Sequence, residues 1–281
     1  MESPTDNNKY GISRFNLLTS LLAILNRNSE NDTDFVIARY FLSHINTIEN
    51  TSIYTIADEC FVSRSSVQRF IKNIGYDSYT QLKDYLKDVI THENALIDYT
   101  DHTDYTDFLL ENIHDMCEDI AHCSKTADFQ KLVSYFVKAR NIVILTAEDS
   151  SQACRLFQQQ ILASGVLIRI ITSASSNISL LDSLEKEDLL LVCSVTGNFA
   201  LAINDQIRNN KATRCLLTLN KTTAFEGNYS LIYYIGKDIM ISSRNIMMSK
   251  NVYTTYGLTF FFDLFYHGCY VEYNRIKNKG Q

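Results

Sequence analysis

The chain has 281 residues, 46% of them hydrophobic, which predicts about two domains, each able to bury its own core. The net charge of −6 excludes a uniformly basic nucleic-acid binder but leaves room for a local basic face. No run of about 18 apolar residues occurs, so no membrane span is expected.

The start Met1-Glu2-Ser3-Pro4 lacks a basic-then-apolar leader, and the expected location is the cytoplasm. The seven cysteines are odd in number, irregularly spaced and mostly set in apolar runs. That pattern favours reduced, buried thiols over a disulfide framework, and the lack of any C-x-x-C pair argues against a zinc ribbon.

In chain order, residues 13–27 read as an apolar-striped helix. Residues 34–44 form a second helix, with Phe35, Ala38, Phe41 and Leu42 at helical spacing, and 46–52 a turn. Three short helical stretches follow to about residue 90, and the polar, acidic stretch 91–106 holds the hinge. Helices are expected near 107–124 and 128–139. Five short apolar runs then read as strands, at 141–146, 166–172, 189–194, 214–219 and 231–235, separated by helices at 151–164, 178–184 and 199–209. Continuously apolar strands alternating with helices imply a parallel sheet covered on both faces. The very apolar segment 253–276 closes the chain, either as a core helix or as one partly buried against a second subunit. The expected fold is thus an all-helical domain over 1–92, a linker over 93–106 and a three-layer α/β/α domain over 107–281.

The stretch from Thr55 to Gly75 reads as two short helices joined by a tight turn. Thr55 caps the first, small Ala57 lets the helices approach, and Phe61-Val62 turns the chain, although glycine is common at that place. Ser63 caps the second helix, whose buried stripe is Val67, Phe70, Ile71 and Ile74, and Gly75 ends it in a left-handed conformation. The opposite face carries Arg64, Ser65, Ser66, Gln68, Arg69 and Lys72. Arg and Gln can make paired hydrogen bonds to base edges, so Arg64, Ser65, Ser66, Gln68 and Arg69 are candidate base contacts. Lys72 and Lys83 suit phosphates, which position a protein without reading sequence. The competing reading is a solvated amphipathic helix pair in some other helical domain.

From Thr55 to Lys83, including the block Asn73-Ile-Gly-Tyr-Asp-Ser-Tyr-Thr-Gln-Leu-Lys83, the chain resembles the N-terminal domain of RpiR-type regulators. The likeness extends back through Phe35-Val-Ile-Ala-Arg-Tyr-Phe-Leu-Ser-His44. It implies a helix-turn-helix domain that binds a double-stranded DNA operator.

In the second half, Ser194-Val-Thr-Gly-Asn-Phe199 runs from a strand into a helix whose N-terminus favours an anion. It resembles the Ser-x-Ser-Gly-x-Thr loop of sugar isomerase (SIS) domains. Ser194 matches the first Ser, Thr196 the second and Gly197 the Gly, while Phe199 replaces the final Thr. The loop after the first strand, Thr146-Ala-Glu-Asp-Ser-Ser151, is Gly-x-Gly-x-Ser in those domains; here Ala147 and Asp149 stand near the glycine positions. Glu148 and Asp149 would each repel a phosphate by roughly 1–4 kcal/mol at moderate dielectric. Ser150, Ser151, Ser173, Ser175, Ser194, Thr196, Gly197 and Asn198 are the candidate effector contacts. The resemblance implies a phosphosugar that alters DNA binding. With the loops altered, an ordinary phosphosugar held by fewer contacts, a less anionic molecule, and a dimerisation scaffold without ligand all remain open.

His114, Cys117, His122 and Cys123 share one helix but match no compact metal motif, so neither metal nor cofactor is expected. No group in the cleft reads as a positioned acid or base, so the expectation is a regulator, a homodimer or homotetramer, rather than an enzyme. The rival is a phosphosugar isomerase with a helical extension, with Glu148 as its base.

Overall fold

The computed structural model describes residues 17–84, 86, 100, 101, 103–148, 150–172, 178–236 and 252–279. The chain divides into two compact units, Met1–Asp101 and His102–Gln281.

The first unit contains α1 (Leu17–Arg27), α2 (Thr33–Ser43), a 3-10 turn at Ile48–Asn50, α3 (Ile53–Glu59) and α4 (Arg64–Asn73). Polar caps start three of these helices. A side-chain oxygen of Asp32, Ser52 or Ser63 accepts a first-turn N–H of α2, α3 or α4. Ser63 is the cap expected for α4. For α3 the expectation is corrected: Ser52 is the cap, because the helix begins at Ile53 and the Thr55 N–H is the orphan donor that Ser52 Oγ satisfies at 3.1 Å. The Thr55 hydroxyl lies 2.8 Å from Ser52 Oγ.

Leu21, Ile37, Phe41, Ile48, Ile56, Val67 and Phe70 are sealed from solvent and form the centre of this unit. Phe41 stacks on Phe70 with ring centroids 6.0 Å apart. The Tyr79 hydroxyl lies within hydrogen-bond distance of the Ile48 and Thr51 carbonyls, tying the block after α4 to the turn before α3.

α3 and α4 end in the same way. Val62 N donates to Ala57 O and Phe61 N to Asp58 O; Tyr76 N donates to Ile71 O and Gly75 N to Lys72 O. This paired pattern requires a left-handed residue just past the helix. Gly75 supplies it at φ 97, as expected, and Phe61 supplies it at φ 53.

The second unit opens with α5 (Tyr105–Cys123) and α6 (Ala127–Lys138). Of the linker expected over 93–106, residues 93–99 and 102 lie outside the described residues. Then follow β1 (Ile142–Thr146), α7 (Ser151–Leu162), β2 (Ile168–Thr172), β3 (Leu189–Cys193), α8 (Asn198–Ile207), β4 (Thr213–Thr218), β5 (Leu231–Tyr234) and α9 (Leu258–Lys279). The short helix expected near 178–184 is a 3-10 helix, Ile178–Ser183, and a π-helical turn, Tyr253–Gly257, leads into α9.

The five strands are all parallel, in the order β2-β1-β3-β4-β5. Every residue of β1 and β3 is buried, so the sheet is covered on both faces. α9 packs on α6 and α7. Phe157 stacks on Phe262 at 4.6 Å, and Phe136 meets Phe265 edge-on at 5.1 Å. The inward side of the apolar C-terminal segment is therefore core of its own chain, while Tyr270 and Val271 remain half exposed.

At the amino ends of β1 and β3, the buried Asp188 carboxylate accepts Arg140 Nε and Nη2 at 3.1 Å each, Asn141 Nδ2 at 2.8 Å and the Glu185 N–H at 2.8 Å. All seven cysteines are free thiols, and Cys60, Cys154, Cys193, Cys215 and Cys269 are buried. Burial pushes the Cys60 thiol up to about 11 and Cys215 up to about 12, which keeps both protonated near neutrality.

Candidate functional site

On α4 the buried stripe is Val67, Phe70 and Ile71, with Ile74 just beyond the helix. Arg64, Ser65, Gln68, Arg69 and Lys72 are exposed, and Ser66 is half-buried. Arg64, Gln68 and Lys72 follow one another at four-residue spacing and so line one ridge, with Ser65 and Arg69 on the next. Eight residues at 1.5 Å rise make that ridge roughly 12 Å long, similar to the width of the DNA major groove. The Ser66 hydroxyl lies 2.9 Å from Ser63 Oγ, inside the cap.

The face has supports that no local pattern announces. Arg64 Nη1 donates to the Tyr54 hydroxyl at 2.8 Å, and the guanidinium lies 4.8 Å from the centre of that ring. Tyr54 thus holds the first cation of α4 from the neighbouring helix. Partial burial, then Asp32, raises the Asp34 pKa, while Arg69 lowers it, so the Arg69 charge is within electrostatic reach of α2. Lys83 Nζ donates to the Glu49 carbonyl at 2.6 Å and sits 4.8 Å from the centre of the Tyr79 ring. Its charge sits against the 3-10 turn rather than on α4.

The Phe61 side chain is 96% exposed. Its left-handed backbone costs roughly 1–2 kcal/mol for a residue with a Cβ.

In the second unit the strand order reverses direction between β1 and β3, and ligands in open parallel sheets lie beyond the carboxyl ends at such a switch point. Thr146 is paired with Cys193, and Thr146 Oγ1 donates to the Cys193 carbonyl at 3.1 Å. The loops starting at Ala147 and Ser194 therefore leave the sheet side by side and enter α7 and α8.

Most hydroxyls of these loops are engaged by the chain itself. Ser194 Oγ accepts the Ala200 N–H at 3.1 Å, and Thr196 Oγ1 accepts the Asn198 N–H at 3.4 Å. Ser151 Oγ donates to the Glu148 carbonyl at 2.7 Å, and Ser150 is buried. The Phe199 ring is 2% exposed and belongs to the core. Gly197 is left-handed at φ 81, and a Cβ there would run into Asn220, whose Nδ2 donates to the Thr196 carbonyl at 3.0 Å. Glu148 Oε1 lies 4.0 Å from an Arg155 Nη, and Glu148 Oε2 is buried with no hydrogen-bond partner. Asp149, Ser173 and Ser175 lie outside the described residues.

A third cluster lies just past β5. The Tyr253 hydroxyl donates to Asp119 Oδ2 at 2.5 Å, and a Cβ on Gly236 would stand 2.8 Å from each of those oxygens. Burial, then the bond to Asp119, holds the Tyr253 phenol protonated well above its ordinary range. Sequence reasoning missed Tyr54, Asn220, Asp119 and Tyr253. Each is a common residue whose partner comes from another element of the fold.

A capped, polar-faced helix at the tight turn of a helical unit, and a five-stranded parallel sheet in the next unit, define the class: a helix-turn-helix domain followed by a parallel-sheet α/β domain. The first of these is of the RpiR type, since residues 19–93 match the helix-turn-helix domain of the rpiR family. The chain is 24% identical over 169 residues to the HTH-type transcriptional regulator GlvR of Bacillus subtilis (strain 168), a match spanning 59% of this chain and 62% of that one. It thus covers less than two thirds of that relative's length. Its fold is similar to that of the Vibrio vulnificus NanR protein complexed with ManNAc-6P, with a TM-score of 0.50 at 15% identity, over 94% of this chain and 95% of the other. The sugar isomerase domain of the RpiR transcription factor from Sphaerobacter thermophilus aligns with a TM-score of 0.40 at 12% identity, over 62% of this chain and 99% of that one.

Proposed function

We propose that the protein is a sequence-specific DNA-binding transcription regulator, a homodimer or homotetramer acting in the cytoplasm, whose α/β domain senses a phosphosugar or a related metabolite. The observation that carries this is α4, which buries one stripe in its own domain and leaves Arg64, Ser65, Gln68, Arg69 and Lys72 exposed together. A helix of that kind fills a major groove, with donors on the ridges facing base edges. Lys72 serves phosphates, and Lys83 adds a cation beside the turn. The protein performs no chemistry in this reading.

The effector cleft lies beyond β1 and β3, bounded by Ser150, Ser151, Ser194, Thr196, Gly197 and Asn198. The ManNAc-6P bound to the NanR protein supports a phosphosugar as the ligand class. A second reading is favoured by one observation. Ser194, Thr196 and Ser151 spend hydrogen bonds on the chain's own backbone, which suits a scaffold that takes no ligand.

Two experiments test the proposal. The full chain should enrich a sequence from a random-duplex library, with affinity falling linearly in log salt; no enrichment refutes the regulator reading. A panel of hexose and amino-sugar phosphates should contain one that raises Tm and alters affinity for that duplex. A flat response across the panel favours the scaffold, whereas turnover of a sugar phosphate would establish the isomerase instead.

A further inference from the structure

Phe61 has two properties that work against the free protein. Its ring is 96% exposed, and its backbone is left-handed at φ 53. The second property has an internal control. Gly75 occupies the same position in the same terminal motif of α4, where a residue without a Cβ adopts the conformation at no steric cost. Neighbouring Val62 packs against the core of the unit, so the turn draws residue 62 in and sends residue 61 out. The ring stands two residues before the cap Ser63 and three before Arg64, at the end of α4 that leads into a groove.

We propose that Phe61 is an apolar DNA contact, packing on the edge of the operator duplex beside the N-terminus of α4. This rests on the DNA-binding reading. Deoxyribose carbons and thymine methyls provide apolar surface at that edge, and a ring already outside the fold reaches them without rearrangement. Tyr54 and Arg64 supply hydrogen-bond donors and positive charge at the same end of the helix, and Phe61 supplies the part of the contact that salt does not screen.

The test measures binding of the full chain, as wild type, Phe61→Gly and Phe61→Leu, to a short duplex enriched by the wild type from a random library. Phe61→Gly keeps the fold, since glycine suits the turn. It should bind about fivefold to tenfold more weakly, with the salt slope unchanged because no charge is removed. Phe61→Leu should retain most of the affinity. Equal affinity of Phe61→Gly and wild type overturns the proposal. So does a loss that sedimentation traces to weakened self-association, which would make a second copy of the chain the occupant. A wild type that enriches no sequence removes the DNA-binding reading itself, an outcome distinct from the other two.

Discussion

Asn220 and Gly197 are packed so closely that a Cβ on residue 197 would stand 2.5 Å from the Cβ of Asn220. The asparagine comes from the turn after β4, the glycine from the turn after β3, and the bond from Asn220 Nδ2 to the Thr196 carbonyl locks the approach. Glycine at 197 is required twice over, by φ 81 and by this neighbour.

Gly197→Ala should therefore destabilise the second unit by about 2–4 kcal/mol, from left-handed strain plus overlap. Urea denaturation measures it. Adding Asn220→Gly should recover only part of the loss, because it removes the overlapping Cβ while the backbone strain persists. Strict additivity of the two changes would mean that the residues do not interact in solution.

Phe61→Gly should act in the opposite sense on stability. Relief of left-handed strain gains about 1–2 kcal/mol, and the greater entropy of an unfolded glycine gives back about 0.4–1 kcal/mol. The expected net is a gain of about 0.5–1 kcal/mol, read as a higher denaturation midpoint with an unchanged m value. A drop in the midpoint would show that the ring packs on something within the chain.

The Asp188 site makes stability depend on pH. Burial raises its carboxyl pKa, but the hydrogen bonds from Arg140, Glu185 N–H and Asn141, with the charge of Arg140, outweigh burial and hold it below the ordinary aspartate value. A depressed folded pKa contributes stability above the unfolded value near 3.9, lost as pH falls through the folded pKa. Wild-type Tm should therefore fall between about pH 5 and pH 2 more steeply than that of Asp188→Asn. Parallel curves would remove Asp188 from the acid transition.

Arg69→Ala and Lys72→Ala should differ in kind. Loss of a base-reading Arg69 should cost about 1–3 kcal/mol on the enriched duplex and relax the preference at one base position. Loss of Lys72 should weaken all duplexes alike and reduce the salt slope by about one. Binding measured on matched and single-substituted duplexes separates the two patterns, and unchanged affinity for Arg69→Ala would strike it from the contact set.

Much of the architecture was legible because it rests on interactions a few residues long. Ser63 caps α4 through a backbone group three residues on, Gly75 closes the same helix within one turn, and the strands follow from apolar runs that only a doubly covered sheet can bury. The Thr55 expectation failed within that same short range. Two hydroxyls, Ser52 and Thr55, could both start a helix, and Ile53, half-buried against the core of the unit, sets the earlier start.

Tertiary structure alone decided which distant partners the polar groups meet. Lys83 reaches Glu49 across 34 positions, Tyr253 reaches Asp119 across 134, and Asn220 reaches Thr196 across 24. Helix caps, helical stripes and buried strands are written within one turn or one strand, so sequence reveals them. A long-range partner depends on how the elements pack, and a lysine, asparagine or tyrosine carries no local mark of the carbonyl or carboxylate it will meet.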